Sequence, residues 1–410
     1  MKLCWVKAGG FVPLDFGGRI RSFQMVKELA RRHAVTVLTF YPAMENDLHG
    51  TLAPLFEELI TVPLPLSKQK SVGEYVDYLR CLFAPHPYSM QKYYRPELRR
   101  AVAELFSRKS FDAIICDFIY PAGVLDWNAE TPIVLFTHNV EAEVWDRQYR
   151  VSRNPIRKLM FWVEYQRLTH SERYYAERAA RVCAVSESNR QFFGRYVGGA
   201  QHVTLLPTGV DTDYFQPGIE PPQQRTMVFT GSMDWVPNHD AIDYFYREIL
   251  PLIRRQEPDV EMWVVGRNPP STLRNLVKDD PKVRITGRVD DVRPYMDKGS
   301  VYILPMRSGS GTRLKIFEAM ASGKAIVSTP IGAEGLPVKD GENILLAEDS
   351  TRFAQAVIRL IRDAPLRLHL QTKARALAVS GFSWRAATQR LEEAIAETAK
   401  ESADIGLQAH

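Results

Sequence analysis

The chain has 410 residues, 45% hydrophobic and 25% charged, which suits two or three globular domains and excludes long disorder and collagen-like repeats. Its 53 basic and 48 acidic side chains leave a net charge of +5. That bias is too small to call for nucleic acid and suits an anionic ligand or an anionic membrane surface.

In chain order, residues 3–6 read as a first strand, followed by a Gly/Pro-containing loop and a helix over about residues 19–32. Further strands are expected at 34–40, 113–116, 133–136, 182–185 and 203–206, all short apolar runs of the kind buried on both faces of a sheet. Residues 207–222 carry four prolines and two glycines and read as a linker. A second series follows, with strands at 227–230, 261–265, 283–285, 301–304, 325–328 and 344–346 and helices that include 241–255 and 313–322. A last helix covers 384–400, and the residues from about 402 look frayed. Strands alternating with helices predict parallel sheets. The expected fold is therefore α/β, two Rossmann-like domains facing across a cleft. The expected divisions are an acceptor-side domain at 1–207, a hinge at 208–224, a donor-side domain at 225–383 and a helix at 384–402 able to cross back to the first domain.

The four cysteines, Cys4, Cys81, Cys116 and Cys183, are scattered and form no C-x-x-C pair, so reduced thiols in a cytosolic protein are expected rather than a zinc cage or disulfides. No apolar run reaches the ~18 residues needed to span a bilayer. The opening residues lack the apolar core of a signal peptide.

The most informative loop is 306–323, Met-Arg-Ser-Gly-Ser-Gly-Thr-Arg-Leu-Lys-Ile-Phe-Glu-Ala-Met-Ala-Ser-Gly. Gly309 and Gly311 allow close backbone approach, Ser310 or Thr312 can cap a helix, and the free N–H groups at its start favour an anion. At ~100° per residue, Leu314, Ile316, Phe317, Met320 and Ala321 share one arc, and Lys315 and Glu318 share another. A cation for a pyrophosphate beside an acceptor for ribose hydroxyls is what a nucleotide needs. A solvated Lys/Glu pair gives the same pattern. Gly17-Gly18 opens the first helix and offers backbone to a ligand, or forms an ordinary loop. His138, just past a buried strand, can bond a substrate hydroxyl or serve structurally. Asp211 and Asp213 could hold a metal but lie where Asp commonly makes turns. Dinucleotide, P-loop, zincin and nucleophile-elbow motifs are absent. Residues 68–100 and 153–178 interleave basic and aromatic side chains, as a membrane-surface segment or a helix pair covering the first sheet would.

Together the stretches Gly231-Ser232-Met233-Asp234, Val264-Val265-Gly266, Ile285-Thr286-Gly287-Arg288, Gly309 through Gly323, Ile331 through Leu336 and Asp340-Gly341-Glu342-Asn343 resemble a GT-B glycosyltransferase of the family-four type. Gly17-Gly18, His138-Asn139, Val185-Ser186-Glu187 and Thr208-Gly209-Val210-Asp211 extend the resemblance over nearly the whole chain. It implies transfer of a sugar from a nucleotide diphosphate, with retention and without a bound metal or other cofactor. Under it His138, Lys315 and Glu318 are catalytic: His138 touches the transferred sugar, Lys315 or Arg313 the pyrophosphate, and Glu318 the ribose. Gly17, Gly18, Gly231, Arg288, Ser310, Gly311, Thr312 and Arg313 bind substrate. The family usually carries a second glutamate where Ser310 stands, and an Arg and Lys where Trp235-Val236-Pro237-Asn238 stands. Arg313 and Lys315 are expected to replace that charge. The departure resembles a subgroup tied to bacterial exopolysaccharide assembly, with a saccharide or lipid-linked acceptor, peripheral membrane contact and no nucleic acid. The alternatives are a GT-B nucleotide-sugar epimerase and a catalytically weak nucleotide-sugar-binding protein.

Overall fold

The computed structural model describes all residues except 15–16, 43–48, 65–71, 82–83, 153, 221–222, 234, 309–313 and 409–410. The chain divides into two compact units, Met1–Pro207 with Ala387–His410, and Thr208–Ala386.

The first unit is built on strands β1 (Lys2–Ala8), β2 (Ala34–Pro42), β3 (Glu58–Leu64), β4 (Ala113–Asp117), β5 (Ile133–Phe136), β6 (Arg181–Ala184) and β7 (Val203–Leu205). They form one parallel sheet in the order β3-β2-β1-β4-β5-β6-β7. Every residue of β4 and all but the first of β1 are buried, as the uninterrupted apolar runs require. Strand β3 is not among the strands expected from the sequence. It is an edge strand of mixed polarity carrying Pro63, a residue a sheet tolerates only where no second neighbour needs its N–H. The helices are α1 (Gly17–Ala30), α2 (Val72–Cys81), α3 (Tyr88–Gln91), α4 (Pro96–Arg108), α5 (Glu141–Val151), α6 (Pro155–Arg178) and α7 (Glu187–Gly194).

Helix α6 sets where two other helices begin. The residues preceding α3 and α5, Pro87 and Val140, supply no side-chain cap. Two buried glutamates of α6 supply it instead. The Glu164 carboxylate accepts from the N–H groups of Tyr88 at 3.0 Å and Ser89 at 2.9 Å, and from the Ser89 hydroxyl at 2.6 Å. Glu172 accepts from the N–H groups of Glu141 at 2.6 Å and Ala142 at 3.3 Å. Acidic groups at helix N-termini satisfy orphan donors and favour the dipole.

The second unit repeats the plan. Strands β8 (Gln223–Thr230), β9 (Glu261–Val265), β10 (Val283–Ile285), β11 (Gly299–Leu304), β12 (Ala325–Ser328) and β13 (Leu345–Leu346) form a parallel sheet in the order β10-β9-β8-β11-β12-β13. Its helices are α8 (Val236–Tyr244), α9 (Leu250–Arg254), α10 (Ser271–Val277), α11 (Arg293–Lys298), α12 (Leu314–Ala321), α13 (Ser350–Arg362) and α14 (Ala364–Phe382). The sequence suggests one helix over 241–255. A π-helical segment, Phe245–Ile249, instead joins α8 to α9. Pro251 lacks an N–H and its ring crowds the preceding turn, which the wider π turn accommodates. Helix α15 (Trp384–Gln408) closes the chain, running past residue 402 where fraying is expected, and from Ala387 onward it belongs to the first unit. There Arg32 pairs with Glu392 through two 2.8 Å bonds.

The turn-rich stretch after Pro207 is held firmly on the second unit. The Val210 N–H donates to the Phe382 carbonyl at 2.7 Å. The Arg375 guanidinium donates to the carbonyls of Thr212 at 3.0 Å and Phe215 at 2.7 Å, and also to that of Ala321. Asp211 accepts from the N–H groups of Asp213 and Tyr214, so it serves as a turn residue.

In both sheets the order reverses once, between β1 and β4 and between β8 and β11. Ligands of open parallel sheets bind beyond the carboxyl ends of the strands at such reversals.

Candidate functional site

At the reversal of the second unit, strand β8 ends in Gly231 and β11 leads through residues 305–313 into α12. Helix α12 buries Ile316, Phe317, Ala319, Met320 and Ala321, and Phe317 stacks on Phe382 at 4.5 Å. Lys315 and Glu318 stay half-buried on the other arc. Gly323 ends the helix with φ of 62°, its N–H donating to Met320 and that of Lys324 to Ala319, a Schellman closure. The Lys315 ammonium donates to Asn238 Oδ1 and lies 4.7 Å from the centre of the Phe229 ring and 5.8 Å from that of Trp235. Asn238 is itself fixed by donating to the Ser232 carbonyl at 2.8 Å. A Cβ on Gly231 would come within 2.7 Å of Asn238 Nδ2 and 2.8 Å of Lys315 Nζ, and one on Gly266 would strike the Gly231 carbonyl. Only glycine leaves this much room. Burial pushes the Glu318 carboxyl up to about 7, with Lys315 pulling the other way. The helix thus offers a cation and, three residues on, a carboxyl group that changes charge near neutrality.

At the reversal of the first unit, Lys7 of β1 is in register with Asp117 of β4. Lys7 Nζ lies 3.3 Å from Asp117 Oδ2 and donates to the Ser22 hydroxyl at 2.9 Å. Asp117 also accepts from Trp5 Nε1 at 2.8 Å. His138 Nε2 lies 2.8 Å from Asp117 Oδ1, and its Nδ1 lies 3.3 Å from Arg21 Nη1. A carboxylate on one side and a guanidinium on the other assign the proton to Nε2 and make Nδ1 the acceptor. Arg21, one of the largest fully buried side chains, also donates to the carbonyls of Thr137 at 2.5 Å and Leu206 at 2.6 Å and lies 4.2 Å above the Phe136 ring. Burial lowers His138 to about 4 against the pull of Asp117, so the ring is neutral at pH 7. Burial alone would raise Asp117, but Lys7 and His138 hold it well below the usual carboxylate range.

The sequence-predicted residues fall as follows. Gly231, Lys315 and Glu318 come together at one reversal. Gly17 and Gly18 are the first residues of α1, whose Arg21 and Ser22 touch His138 at the other. Both ring nitrogens of His138 are engaged within its own unit. Arg288 is exposed after β10. Ser310, Gly311, Thr312 and Arg313 lie outside the described residues, as does Gly309. Lys7, Arg21, Asp117 and Asn238 were not anticipated. The signal for Lys7 and Asp117 is present: each is a charged residue at the carboxyl end of a strand, directly after an apolar run. Among the described residues, no group of three or more His, Cys, Asp or Glu side chains could hold a metal ion, and no helix is long and apolar enough to cross a membrane.

Comparison with known proteins gives a consistent family. Residues 17–214 match the family described as Glycosyltransferase Family 4, and residues 224–363 match Glycosyl transferases group 1. An uncharacterized 44.6 kDa protein in the cps region of Klebsiella pneumoniae is 20% identical over 63% of this chain and 68% of its own. The phosphatidyl-myo-inositol mannosyltransferase of Mycolicibacterium smegmatis is 29% identical over 48% of this chain, which spans about half (52%) of that relative's length. Among solved structures, HepE of Anabaena in complex with UDP superposes with a TM-score of 0.68 at 16% identity, over 97% of this chain and 100% of that one.

Proposed function

The chain belongs to the family-four glycosyltransferases and has the GT-B fold, and on that premise we propose that it moves a hexose from a nucleoside diphosphate, with retention, to a saccharide or lipid-linked acceptor in cell-surface or exopolysaccharide synthesis. The observation that carries the donor half is the Gly231–Asn238–Lys315–Glu318 cluster at the reversal of the second sheet. Lys315 supplies positive charge to the diphosphate, Glu318 accepts from ribose hydroxyls, and the start of α12 adds backbone N–H groups. In this reading Lys315 takes the place of the family's missing cation by reaching to Asn238 in the first turn of α8. Arg288 is assigned to the base and Ser310 to Arg313 to the diphosphate and sugar, and Gly17 and Gly18 keep a phosphate-binding role through their backbone N–H groups. His138 borders the transferred sugar as a neutral ring aimed by Asp117 and Arg21.

Breaking the anomeric bond places negative charge on the departing diphosphate, and preorganised donors stabilise that charge more than they stabilise the ground state. UDP and UDP-glucose, which HepE structures contain, are the first donors to try. The test is a thermal-shift panel of UDP, GDP and ADP with their sugar forms, since a ligand of the folded state raises its melting point. Binding of one base, lost in Lys315→Ala and Glu318→Ala, supports the site; equal shifts in both variants remove it. Proton NMR of the product reads the anomer, and an inverted product overturns the retaining assignment.

Contact with an anionic membrane surface is supported by one end of α6. Ile156, Leu159 and Trp162 are 71%, 61% and 43% exposed beside the exposed Arg157 and Lys158. Apolar side chains next to basic ones suit a headgroup interface. The 68–100 stretch contributes less than its composition suggests, because Tyr78, Met90 and Tyr93 are buried. Co-sedimentation with phosphatidylglycerol vesicles, weakened in Ile156→Ser/Leu159→Ser, is the expected result; no difference from phosphatidylcholine vesicles would remove the contact. Such a protein would work on the cytoplasmic face.

A further inference from the structure

A second cluster of polar groups stands at the carboxyl end of the first sheet, beside the His138 network but separate from it. The Tyr120 hydroxyl, in the loop after β4, donates to Glu141 Oε1 at 2.5 Å. Glu141 opens α5 and is buried. The ammonium of Lys92, just past α3, lies 5.1 Å from the ring centre of Tyr93, 5.6 Å from that of Tyr120 and 5.8 Å from that of Tyr88. It makes no hydrogen bond and no ion pair with the described residues. Tyr93 and Tyr120 are ring neighbours at 5.8 Å, and the Tyr93 hydroxyl faces Gly9, directly after β1. Asn139 and Trp145 approach the Glu141 carboxylate, yet Asn139 Oδ1 and Trp145 Nε1 are buried without partners. The Phe118 ring connects the cluster to His138, lying 4.8 Å from Tyr120 and 5.4 Å from His138.

Buried polar atoms are ordinarily satisfied, so one unsatisfied donor and one unsatisfied acceptor, gathered with a half-buried ammonium among aromatic faces, mark a place where a ligand completes the bonding. The chemistry is specific. One ammonium and one carboxylate cancel, so the cluster does not select an anion. Donors and acceptors stand together, as hydroxyl groups require, and tyrosine faces suit the apolar side of a sugar ring. We infer that Lys92, Tyr120 and Glu141, with Asn139 and Trp145, form the subsite for a neutral pyranose residue of the acceptor, with Glu141 accepting from one sugar hydroxyl and Lys92 donating to another. The inference rests on the acceptor side of the proposed function and assigns that side to named residues.

Both helices that carry the subsite begin where α6 holds them, through Glu164 and Glu172. The site is therefore placed by buried carboxylates that do not themselves reach the ligand.

The test is saturation-transfer NMR of the whole chain with octyl glucoside, octyl galactoside and octyl mannoside, with the UDP-induced melting shift measured in parallel. At least one sugar should show ring-proton saturation. Tyr120→Phe, which removes a single oxygen, should reduce that signal at least threefold, and Lys92→Met and Glu141→Gln at least tenfold, in variants whose melting curves match the unsubstituted chain. Ring-proton saturation unchanged in all three variants, or absent for every sugar in the unsubstituted chain, overturns the subsite. A normal sugar signal without any UDP shift would instead count against the proposed donor while leaving the subsite standing.

Discussion

The two units share a strand order and place charged groups at the same topological point, yet they use them oppositely. At the β1/β4 reversal, Lys7, Asp117, Arg21 and His138 are bonded to one another and to strand-end carbonyls, and the ring nitrogens and the carboxylate have partners inside the unit. At the β8/β11 reversal, Lys315 rests on the neutral amide of Asn238 and on aromatic faces, and Glu318 remains half-buried with a carboxyl raised toward neutrality. The first arrangement is closed by ion pairs among buried charges, whereas in the second the cation meets a neutral amide and aromatic faces. A charged residue at a sheet reversal is therefore not in itself a binding residue, and what distinguishes the two cases is the kind of partner each charge has.

The largest expected effect tests the first half of that contrast. Asp117→Asn leaves the buried Lys7 and Arg21 without their counter-charge and should destabilise the first unit by about 3–5 kcal/mol, read by chemical denaturation. An unchanged unfolding midpoint would break the comparison. Next, Lys315→Ala should leave the unfolding midpoint close to that of the unsubstituted chain but weaken UDP by roughly ten- to hundredfold, the ~1.5–3 kcal/mol of a charged hydrogen bond, read by calorimetry. A large loss of stability with unchanged affinity would reverse the roles of the two units. Gly231→Ala should act more mildly in the same direction, by about 1 kcal/mol of UDP affinity, because its methyl group would crowd both Asn238 Nδ2 and Lys315 Nζ and shift the ammonium.

The smallest effect is one of pH. Because the Glu318 carboxyl is raised in the folded chain, folding takes up a proton between about pH 4.5 and 7, and the contribution of this group to stability falls as pH rises through that window. Under the proposed role of Glu318, ribose is held by the carboxylate, and UDP binding should improve over the same window. Opposite slopes of melting temperature and UDP affinity, both flattened in Glu318→Gln, are the expected outcome; parallel slopes would separate Glu318 from the ligand.

Much of this was legible in the sequence, and the misses have physical causes. The unbroken apolar strands and the Lys315/Glu318 arc of α12 follow from periodicity alone. Strand β3 escapes because its short apolar stretch is interrupted by Pro63, a residue tolerated there only because β3 lies at the sheet edge. The break in the 241–255 helix turns on how one proline fits the preceding turn, which composition does not register. Asn238 could be seen as standing where a cation was missing, but not as the residue that meets Lys315 from 77 positions away. The Lys92–Tyr120–Glu141 cluster unites the end of α3, the loop after β4 and the start of α5, so in the sequence Lys92 and its tyrosines read only as part of the basic, aromatic 68–100 segment.

The two carboxylate caps of α6 have an evolutionary corollary. Since Glu164 and Glu172 hold the starting points of α3 and α5, side chains in the loops leading into those helices, other than the bonded Thr137 and His138, can change without moving Tyr88 or Glu141. Descendants of this chain could thus be retuned toward a different acceptor by altering loop residues alone, with the anchoring acids left untouched.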